Sequence, residues 1–289
     1  MPIAVFTKNS RPRLGKVFGD ALIDLSVAAP DLPDSIIAFL KAGAPARASY
    51  DKVTRDSGEL IPLTDVTLQA PVPQPEKFLA IGMNYADHGE EAKKLGVEVP
   101  PYQLWFNKQV SCINGPFDDV VSPKVTEKLD YEVELAVVIG KTCRYVSEED
   151  AASVVGGYMV SNDVSARDWQ LRTGTMTLGK SFDTHGPIGP WLTLPDEIGD
   201  PHDLRLRTFI NGEVRQDGNT RDLIYSIWQQ ISYLSQVMTL KPGDILATGT
   251  PSGVGVAMNP PQFLRVGDVM RVEVEGLGHL ENRVIKDRG

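Results

Sequence analysis

The pattern of hydrophobic and polar positions divides the chain into two segments. In the first, the apolar runs in IAVFT and KVFGDALIDLS predict strands, the second with a Gly-Asp turn. PDSIIAFLKAGA predicts a short helix with Asp34 or Ser35 as its N-cap. Three prolines within APVPQPEK, residues 70–77, then predict a stiff, extended connection. We therefore expect a small N-terminal β domain over residues 1–72 and a larger domain over residues 73–289.

The larger segment is rich in predicted strands and poor in predicted helices. Apolar runs predict strands at residues 78–82, 130–140, 156–163, 204–212, 244–249 and 268–276. Helices are expected at about 87–95, at 147–154 with Ser147 as N-cap, and at 221–238. The Asn211-Gly212 step predicts a hairpin turn, since both residues adopt positive φ there. This pattern predicts a β-rich α+β fold.

Charge and cysteine content argue against several classes of protein. The 29 basic and 38 acidic residues give a net charge of −9, so a nucleic-acid partner is not expected. No apolar run approaches the roughly 20 residues of a membrane helix, and the N-terminus lacks the apolar stretch of a signal peptide. Cys112 and Cys143 form no C-x-x-C pair, which argues against a zinc finger. We therefore expect a cytoplasmic protein with no membrane partner.

The segment DYEVELAVVI, residues 130–139, carries the clearest chemical signal. Side chains alternate faces along a strand, so Glu132 and Glu134 should share one face, and both faces become apolar further on. Two buried carboxylates about 7 Å apart repel each other, and a hard divalent cation would cancel both charges. The alternative is that this end of the strand emerges into water, where both glutamates are simply solvated.

Two further positions could complete such a site. Asp163 follows the strand GYMVSND, although a helix N-cap or turn role is the alternative. In NYADHGEE, Asp87 and Glu90 form a capping box that predicts a helix beginning at His88. His88 and Glu91 then lie side by side, as in a histidine oriented by a carboxylate for general-base catalysis. The alternative for this pair is an ordinary exposed helix start with an incidental histidine.

Two glycine-containing segments are the remaining candidates. Lys180 in LGKSFD could face a cleft and bind an anion, or it could lie on the surface. The glycines of ATGTPSGVG, residues 247–255, allow backbone N–H groups to approach an oxyanion or a carboxylate. This segment is not a P-loop. The chain has no G-x-S-x-G sequence and no cysteine at a predicted helix start, so nucleophilic serine or cysteine catalysis is not supported.

In this order, five motifs resemble the fumarylacetoacetate hydrolase family: GMNYADHGEE, LDYEVELAVVIG, SNDVSARDWQ, LGKSFDTHGPIGPW and KPGDILATGTPSGVG. The resemblance covers residues from about 75 to 289. It implies a mixed β-sheet roll, a divalent metal and a homodimer. By motif position, the metal ligands are Glu132, Glu134 and Asp163. Three carboxylates with water suit Mg²⁺ or Mn²⁺ better than zinc.

The resemblance also implies roles around the metal. His88 and Glu91 resemble the water-activating pair on a short lid helix, and Lys180 resembles the substrate-side lysine. The implied substrate contacts are Arg167, Gln170, Gly249 and Thr250. His88 follows Asp87 directly, whereas the founding hydrolase of the family has a longer insert between its tyrosine-aspartate motif and its histidine. This departure favours the acylpyruvase-like, bacterial diketo acid branch over fumarylacetoacetate itself as substrate.

The expected reaction is metal-dependent hydrolysis of the C3–C4 bond of a 2,4-diketo acid, giving pyruvate and a carboxylic acid. His88 would activate water, and Lys180 and the metal would stabilise the pyruvate enolate. Loss of CO₂ from oxaloacetate gives the same enolate, so an oxaloacetate decarboxylase is the main alternative. A 2-hydroxyhepta-2,4-diene-1,7-dioate isomerase, a ureidoglycolate lyase and a non-catalytic keto acid sensor are the others. Residues 93–105 and 169–177 are expected to set specificity, and the apolar residues of the first suggest an apolar or aromatic acyl tail.

Overall fold

Strands dominate the chain, which confirms the β-rich α+β prediction. The computed structural model describes residues 1–8, 11–94, 96 and 100–288. Its strands are β1 (Ile3–Lys8), β2 (Arg11–Phe18), β3 (Ala21–Asp24), β4 (Ile61–Pro62), β5 (Thr67–Gln69), β6 (Phe78–Gly82), β7 (Leu104–Asn107), β8 (Ile113–Asn114), β9 (Val120–Ser122), β10 (Leu129–Asp130), β11 (Val133–Ile139), β12 (Val155–Asn162), β13 (Ser165–Ala166), β14 (Gly186–Thr193), β15 (Arg205–Ile210), β16 (Glu213–Asn219), β17 (Ile245–Ala247), β18 (Val269–Val274) and β19 (Gly278–Lys286). Its α-helices are α1 (Leu25–Ala28), α2 (Ile36–Ala42), α3 (Ala44–Asp51), α4 (Ala86–Lys94), α5 (Arg167–Gln170) and α6 (Ile227–Val237). Short 3-10 turns occupy Leu63–Asp65, Val110–Cys112, Ala151–Val154, Thr177–Lys180, Pro195–Glu197, Thr220–Asp222 and Gly255–Ala257.

The largest sheet joins both segments of the chain. Its strands lie in the order β4-β3-β2-β1-β14-β12-β11-β17-β6-β7, with β5 paired to β1 and β8 paired to β14. β1 meets β14 through Ile3 and Leu192, so the N-terminal strands continue the sheet of the larger segment. A second sheet has the order β16-β15-β18-β19-β9, and β10 pairs with β13. The domain boundary proposed near residue 72 therefore separates two parts of one continuous sheet.

The central strand β11 is buried along its whole length between β12 and β17. Ala136 and Val138 pack into one hydrophobic cluster, whereas Leu135 and Val137 pack into another on the opposite face. Full burial of each Val or Leu contributes roughly 1.5–3 kcal/mol. The prediction that both faces of this strand are covered is thus confirmed. The apolar residues fix the register of β11 against its neighbours, and this register places Glu134 in the interior.

Several local predictions are confirmed. The Gly-Asp turn joins β2 to β3 as an antiparallel hairpin. The hydroxyl of Ser35 accepts the Ala38 amide at 3.3 Å and caps α2. Asn211 and Gly212 have φ values of 51° and 86°, the left-handed conformations that the tight turn between β15 and β16 requires.

The helix predicted at 147–154 is largely replaced by a turn. The Ser147 hydroxyl does accept the Asp150 amide, at 3.2 Å. This contact closes a local turn, and only the 3-10 segment Ala151–Val154 follows it. Serine can stabilise such a turn as well as a helix N-terminus, so the cap alone did not specify a helix.

The helix predicted at 221–238 begins later, after Ser226. Asn84 accounts for the delay. Its carbonyl oxygen accepts the Ile224 amide at 2.8 Å, and its side-chain oxygen accepts the Tyr225 amide at 2.8 Å. These bonds tie the two residues before Ser226 to another part of the chain, so the helix cannot include them.

Candidate metal centre and active site

Three buried carboxylates meet at the start of β11. Glu132, Glu134 and Asp163 each place an oxygen within 4.8 Å of the others. The antiparallel pairing of β11 with β12 sets Val133 opposite Asn162. Asp163 therefore lies beside Glu132 and donates its amide to the Glu132 carbonyl at 2.9 Å. The structure thus brings the three predicted metal ligands together, and we call them the acid cluster.

Glu132 reaches the cluster by a different route from the predicted one. The expectation of a single strand starting at residue 130 is wrong, because β11 begins at Val133. The Glu132 amide donates instead to Asn162 Oδ1 at 3.1 Å. Glu132 and Glu134 are nevertheless only 5% and 1% exposed, so the alternative of a solvated strand end does not hold.

The two glutamates have opposite electrostatic environments. Burial raises the pKa of Glu134 well above its usual range, and the carboxylates of Asp163 and Glu132 raise it further. Burial would also raise the pKa of Glu132, but Lys180 and Arg167 outweigh it and lower this pKa to about 2. The Gly249 amide donates to Glu134, and among the described residues no Lys or Arg forms an ion pair with it. This uncompensated charge fits a bound cation.

The donor set suits a hard divalent ion. Three carboxylates offer only oxygen ligands, which Mg²⁺ and Mn²⁺ prefer, and they provide no thiolate or imidazole for zinc. An ion held by Glu132, Glu134 and Asp163 would balance the charge on Glu134 and supply a Lewis acid to an adjoining substrate.

Two predicted substrate contacts also brace the acid cluster. Lys180 Nζ donates to Glu132 Oε2 at 2.8 Å and to Asp163 Oδ2 at 2.7 Å. Arg167 Nη1 lies 2.6 Å from Glu132 Oε1. The Nη2 atom of Arg167 is buried and has no hydrogen-bond partner among the described residues. Both cations line the adjoining cavity, so they can contact a bound anion as well as the cluster.

Lys108 is a third buried cation, and no local sequence signal points to it. Its Nζ donates to Asp163 Oδ1 at 2.6 Å. Its other contacts are the carbonyl oxygens of Lys180 and His185, at 2.5 and 3.0 Å. Burial would lower the pKa of Lys108, but the Asp163 carboxylate outweighs it and the pKa rises. Lys108 therefore stays charged and fixes one oxygen of a predicted metal ligand.

Asp130 is a further residue of the site that sequence reasoning leaves without a role. It accepts a hydrogen bond from Arg167 Nε at 2.8 Å, so Asp130 holds the guanidinium together with Glu132. Its oxygens also accept the amides of Gly255 and Val256, at 2.8 and 2.9 Å. Its position two residues before Glu132 in the same acidic segment is the signal that could have identified it.

α4 carries the predicted histidine–carboxylate pair. His88 Nδ1 lies 3.1 Å from Glu91 Oε2, and both side chains line the same cavity as Lys180. Because Nδ1 faces Glu91, Nε2 is the nitrogen available to a substrate or a water molecule. A carboxylate in this position orients the imidazole.

The start of α4 differs from the prediction. The helix begins at Ala86 rather than at His88, because the Gly89 amide already donates to the Tyr85 carbonyl at 2.9 Å. Asp87 therefore lies inside the first turn, and the predicted capping box is wrong. An acidic side chain in the first turn still interacts favourably with the helix dipole.

The glycine-containing loop at residues 247–255 directs its amides at protein carboxylates. Gly249 donates to Glu134 Oε2 at 2.8 Å, so this predicted substrate contact supports a predicted metal ligand. Thr250 does line the cavity, and its hydroxyl accepts Gln216 Nε2 at 2.7 Å. The sequence predicted that these amides would approach an oxyanion or a carboxylate. In the structure they donate to the carboxylates of Glu134 and Asp130.

A cavity of about 270 Å³ adjoins the acid cluster. Its polar lining consists of His88, Glu91, Glu132, Arg167, Gln170, Lys180 and Thr250. Its apolar lining consists of Ile81, Met83, Leu104, Phe106, Leu171, Met176, Val254, Val256 and Ala257. Leu104, Leu171 and Met176 belong to the two segments predicted to set specificity. Residues 95 and 97–99 of the first segment lie outside the described residues.

The structure also bears on the state of the two cysteines and on whether a helix could span a membrane. Cys112 and Cys143 are free thiols, and Cys112 is buried. Within the described ranges, no helix has the length and apolar character needed to cross a membrane.

The chain is similar to known proteins both in sequence and in fold. The bovine protein named oxaloacetate tautomerase FAHD2A, mitochondrial, is 42% identical over 278 residues, which cover 95% of this chain and 88% of the relative. Maleylpyruvate hydrolase from Sphingobium, solved with manganese(II) and pyruvate, has a TM-score of 0.84 and 34% identity. 2-Hydroxyhepta-2,4-diene-1,7-dioate isomerase from Mycobacterium marinum has a TM-score of 0.79 and 29% identity. Both structures match over 100% of this chain and of their own.

The family assignment follows from a family-wide comparison and from these relatives. The family model described as fumarylacetoacetate (FAA) hydrolase C-terminal matches residues 77–285, which contain every residue of the candidate site. The chain belongs to the fumarylacetoacetate hydrolase family.

Proposed function

We propose that this protein is a metal-dependent enzyme that interconverts the keto and enol forms of oxaloacetate. One observation carries the proposal: a single small cavity is lined by a histidine–carboxylate pair, two buried cations and Glu132, one member of an acid cluster suited to a divalent ion. The relative named oxaloacetate tautomerase, 42% identical over 278 residues, supports oxaloacetate as the substrate. We propose Mg²⁺ or Mn²⁺ as the cofactor, and manganese in the maleylpyruvate hydrolase structure supports this choice.

The side chains of the cavity account for each proton transfer. Lys180 and the unpaired Nη2 of Arg167 hold the substrate carboxylates. His88 takes the proton from C3 through Nε2, while Glu91 keeps the ring in place. The electron pair of the C3–H bond forms the C2–C3 double bond, and the negative charge moves to the C2 oxygen beside Lys180. Return of the proton to that oxygen completes the enol. The metal, when bound, polarises the 2-oxo group.

A second reaction, hydrolysis of the C3–C4 bond of a 2,4-diketo acid, is favoured by the apolar wall of the cavity. The second carboxylate of oxaloacetate gains nothing from contact with Leu104 or Phe106, whereas an acyl chain would be desolvated favourably there. Met83 and Met176 of the same wall have φ values of 57° and 59°, conformations that cost non-glycine residues about 1 kcal/mol or more. Strained residues of this kind occur mainly at functional sites, which fits a role for this apolar wall in binding the substrate. In this reaction His88 activates water, and pyruvate leaves as its enolate.

Three further reactions from the sequence remain alternatives, and the first two of them pass through related enolates. They are oxaloacetate decarboxylation, 2-hydroxyhepta-2,4-diene-1,7-dioate isomerisation and ureidoglycolate cleavage. The relative with 29% identity that is named as such an isomerase supports the second of these. The homodimer and the cytoplasmic location also stay predictions, and the mitochondrial location in the bovine relative's name is a property of that relative.

The decisive experiment follows the decay of enol-oxaloacetate by its absorbance, with Mg²⁺, with Mn²⁺ and with EDTA. Pyruvate release from acetylpyruvate and from oxaloacetate is measured in parallel. Metal-dependent enol decay that disappears in His88→Ala supports the tautomerase. Pyruvate release from acetylpyruvate that exceeds enol decay supports the hydrolase instead, and pyruvate release from oxaloacetate supports the decarboxylase. No metal-dependent turnover of either compound would contradict both leading proposals.

A further inference from the structure

Two carboxylates fasten α4 to the loop that follows β17. Asp87 Oδ2 accepts the hydroxyl of Ser252 at 2.5 Å and the Ser252 amide at 3.3 Å. Glu91 Oε1 accepts the amide of Gly253 at 2.9 Å. Asp87 and Glu91 are four residues apart, so they lie on the same face of the helix. That face is therefore held against two consecutive loop residues.

Glu91 divides its carboxylate between the loop and the catalytic histidine. Its Oε1 atom binds the Gly253 amide, and its Oε2 atom lies 3.1 Å from His88 Nδ1. If α4 moved away from the loop, Glu91 would lose its second anchor and the imidazole its fixed direction. The orientation of His88 consequently depends on where the loop holds the helix.

The loop is itself fixed by the carboxylates around the acid cluster. Before the contacts with α4, the Gly249 amide donates to Glu134 at 2.8 Å. After them, the Gly255 amide donates to Asp130 at 2.8 Å. Gly253 has a φ of 99°, and a Cβ there would lie 2.0 Å from a backbone carbonyl oxygen. Hydrogen bonds at both ends and close packing in the middle make this loop a rigid support.

We propose that Ser252 and Asp87 are positioning residues, which lock α4 onto this loop and thereby set the direction of the His88–Glu91 pair. Neither residue is among those that line the cavity, so their effect passes through the pair and not through contact with the substrate. The inference rests on the proposed function, because it takes His88 as the group that transfers the proton.

The variant Ser252→Ala tests the proposal. It removes the 2.5 Å hydrogen bond and leaves Asp87 with the longer amide contact at 3.3 Å. We expect kcat for enol-oxaloacetate decay to fall roughly tenfold, because α4 then leaves the loop for part of the time and His88 loses its direction. KM and Mg²⁺ affinity should not change, because neither the cavity lining nor the acid cluster is altered. Hydrogen exchange of the α4 amides should become faster.

Two further variants separate positioning from a general structural effect. Ser252→Thr keeps a hydroxyl and should recover most of kcat and of the amide protection. Ser26→Ala is the matched control, since Ser26 also donates its hydroxyl to an aspartate, Asp24 Oδ1 at 2.6 Å, in the N-terminal segment. We expect it to leave kcat and α4 exchange unchanged.

The outcomes distinguish this proposal from the proposed function. Unchanged kcat in Ser252→Ala, or a lower kcat with unchanged α4 exchange, would overturn the positioning role. Amide exchange needs no substrate. Faster α4 exchange in Ser252→Ala, in a protein that turns over neither candidate substrate, would support the lock between helix and loop and reject the proposed function.

Discussion

The Nζ atom of Lys108 lies 2.6 Å from Oδ1 of Asp163, and both side chains are completely buried. Lys180 binds the other oxygen of the same carboxylate at 2.7 Å. Two ammonium groups thus hold Asp163, whereas the Glu134 carboxylate beside it has no such partner among the described residues. Glu134 is consequently the member of the acid cluster whose charge a divalent ion, held by Glu132, Glu134 and Asp163, would balance.

Replacement of Lys108 by methionine should destabilise the metal-free protein by about 3 kcal/mol, because one buried oxygen of Asp163 loses its charged partner. Excess Mg²⁺ should restore part of this loss by binding the carboxylates. Urea unfolding in EDTA and in Mg²⁺ measures both effects. Lys77→Met is the matched control, since Lys77 pairs with the buried Asp244 at 2.8 Å outside the acid cluster. The same recovery by Mg²⁺ in both variants would contradict the role of Lys108 at the metal centre.

Glu134→Gln should stabilise the metal-free protein at about pH 8, by about 1 kcal/mol, because the folded protein disfavours the ionised form of Glu134 and glutamine does not ionise. The pKa of Glu134 is raised in the folded protein, so its ionisation lowers stability as the pH rises above the usual glutamate range. The gain from Glu134→Gln should therefore grow with pH in that direction. Mg²⁺ binding, measured by calorimetry, should be lost.

Glu132→Gln should have the opposite effect on stability. It leaves Lys180 and Arg167 without their shared carboxylate and should cost about 3 kcal/mol in urea unfolding with EDTA. The folded pKa of Glu132 is about 2, so its contribution is present above the usual glutamate pKa and is lost as the pH falls towards 2. A stability change of the same sign in Glu132→Gln and Glu134→Gln would refute this assignment of charges.

Local patterns marked Glu132 with Glu134, and His88 with Glu91, as candidate groups, whereas Asp163 and the metal-ligand roles came from the family resemblance. Glu132 and Glu134 stand at the end of an apolar run, and His88 and Glu91 have helical spacing, so short segments of sequence carry both signals. The predicted secondary structure around Glu132 was less accurate than its predicted position in the site. Glu132 precedes β11 because the Asn162 side chain takes its amide, and no strand pattern contains that contact.

The supporting residues could not be predicted because their partners are distant in the sequence. Lys108 contacts Asp163 across 55 residues, and the Gly249 amide contacts Glu134 across 115. A single lysine after an apolar strand has the same local pattern as a surface lysine. Only the completed sheet brings these groups to the start of β11, so a single sequence gives no means of pairing them.

His88→Ala should lower kcat by roughly 10²–10⁴-fold, which is the usual contribution of a positioned general base. Mg²⁺ affinity should remain unchanged, because His88 is not part of the acid cluster. Enol-oxaloacetate decay and calorimetric titration with Mg²⁺ measure the two quantities. Glu91→Gln should cause a smaller loss of kcat, since the amide can still contact the ring. Normal turnover by His88→Ala would exclude proton transfer by this residue.

His185 should make the protein less stable in mild acid. Burial lowers its pKa to about 4, and within the described part of the chain its Nδ1 atom has no hydrogen-bond partner that could accept a proton. An unfolded histidine has a pKa near about 6.5, so between about pH 6.5 and 4 the unfolded chain binds a proton that the folded protein does not. Stability should therefore fall as the pH decreases through this window, by about 3 kcal/mol in total.

His185→Gln isolates this contribution. Glutamine can still donate to the Val121 carbonyl, which lies 3.0 Å from His185 Nε2, but it does not titrate. Loss of the ring contact with Phe182 lowers stability equally at every pH. The difference in unfolding free energy between wild type and variant, measured in urea with EDTA, should decrease by about 3 kcal/mol from about pH 7 to about pH 4. If the unfolding free energies of wild type and variant ran parallel with pH, His185 would become protonated within the folded protein. The assignment of a neutral His185 beside Lys108 would then be wrong.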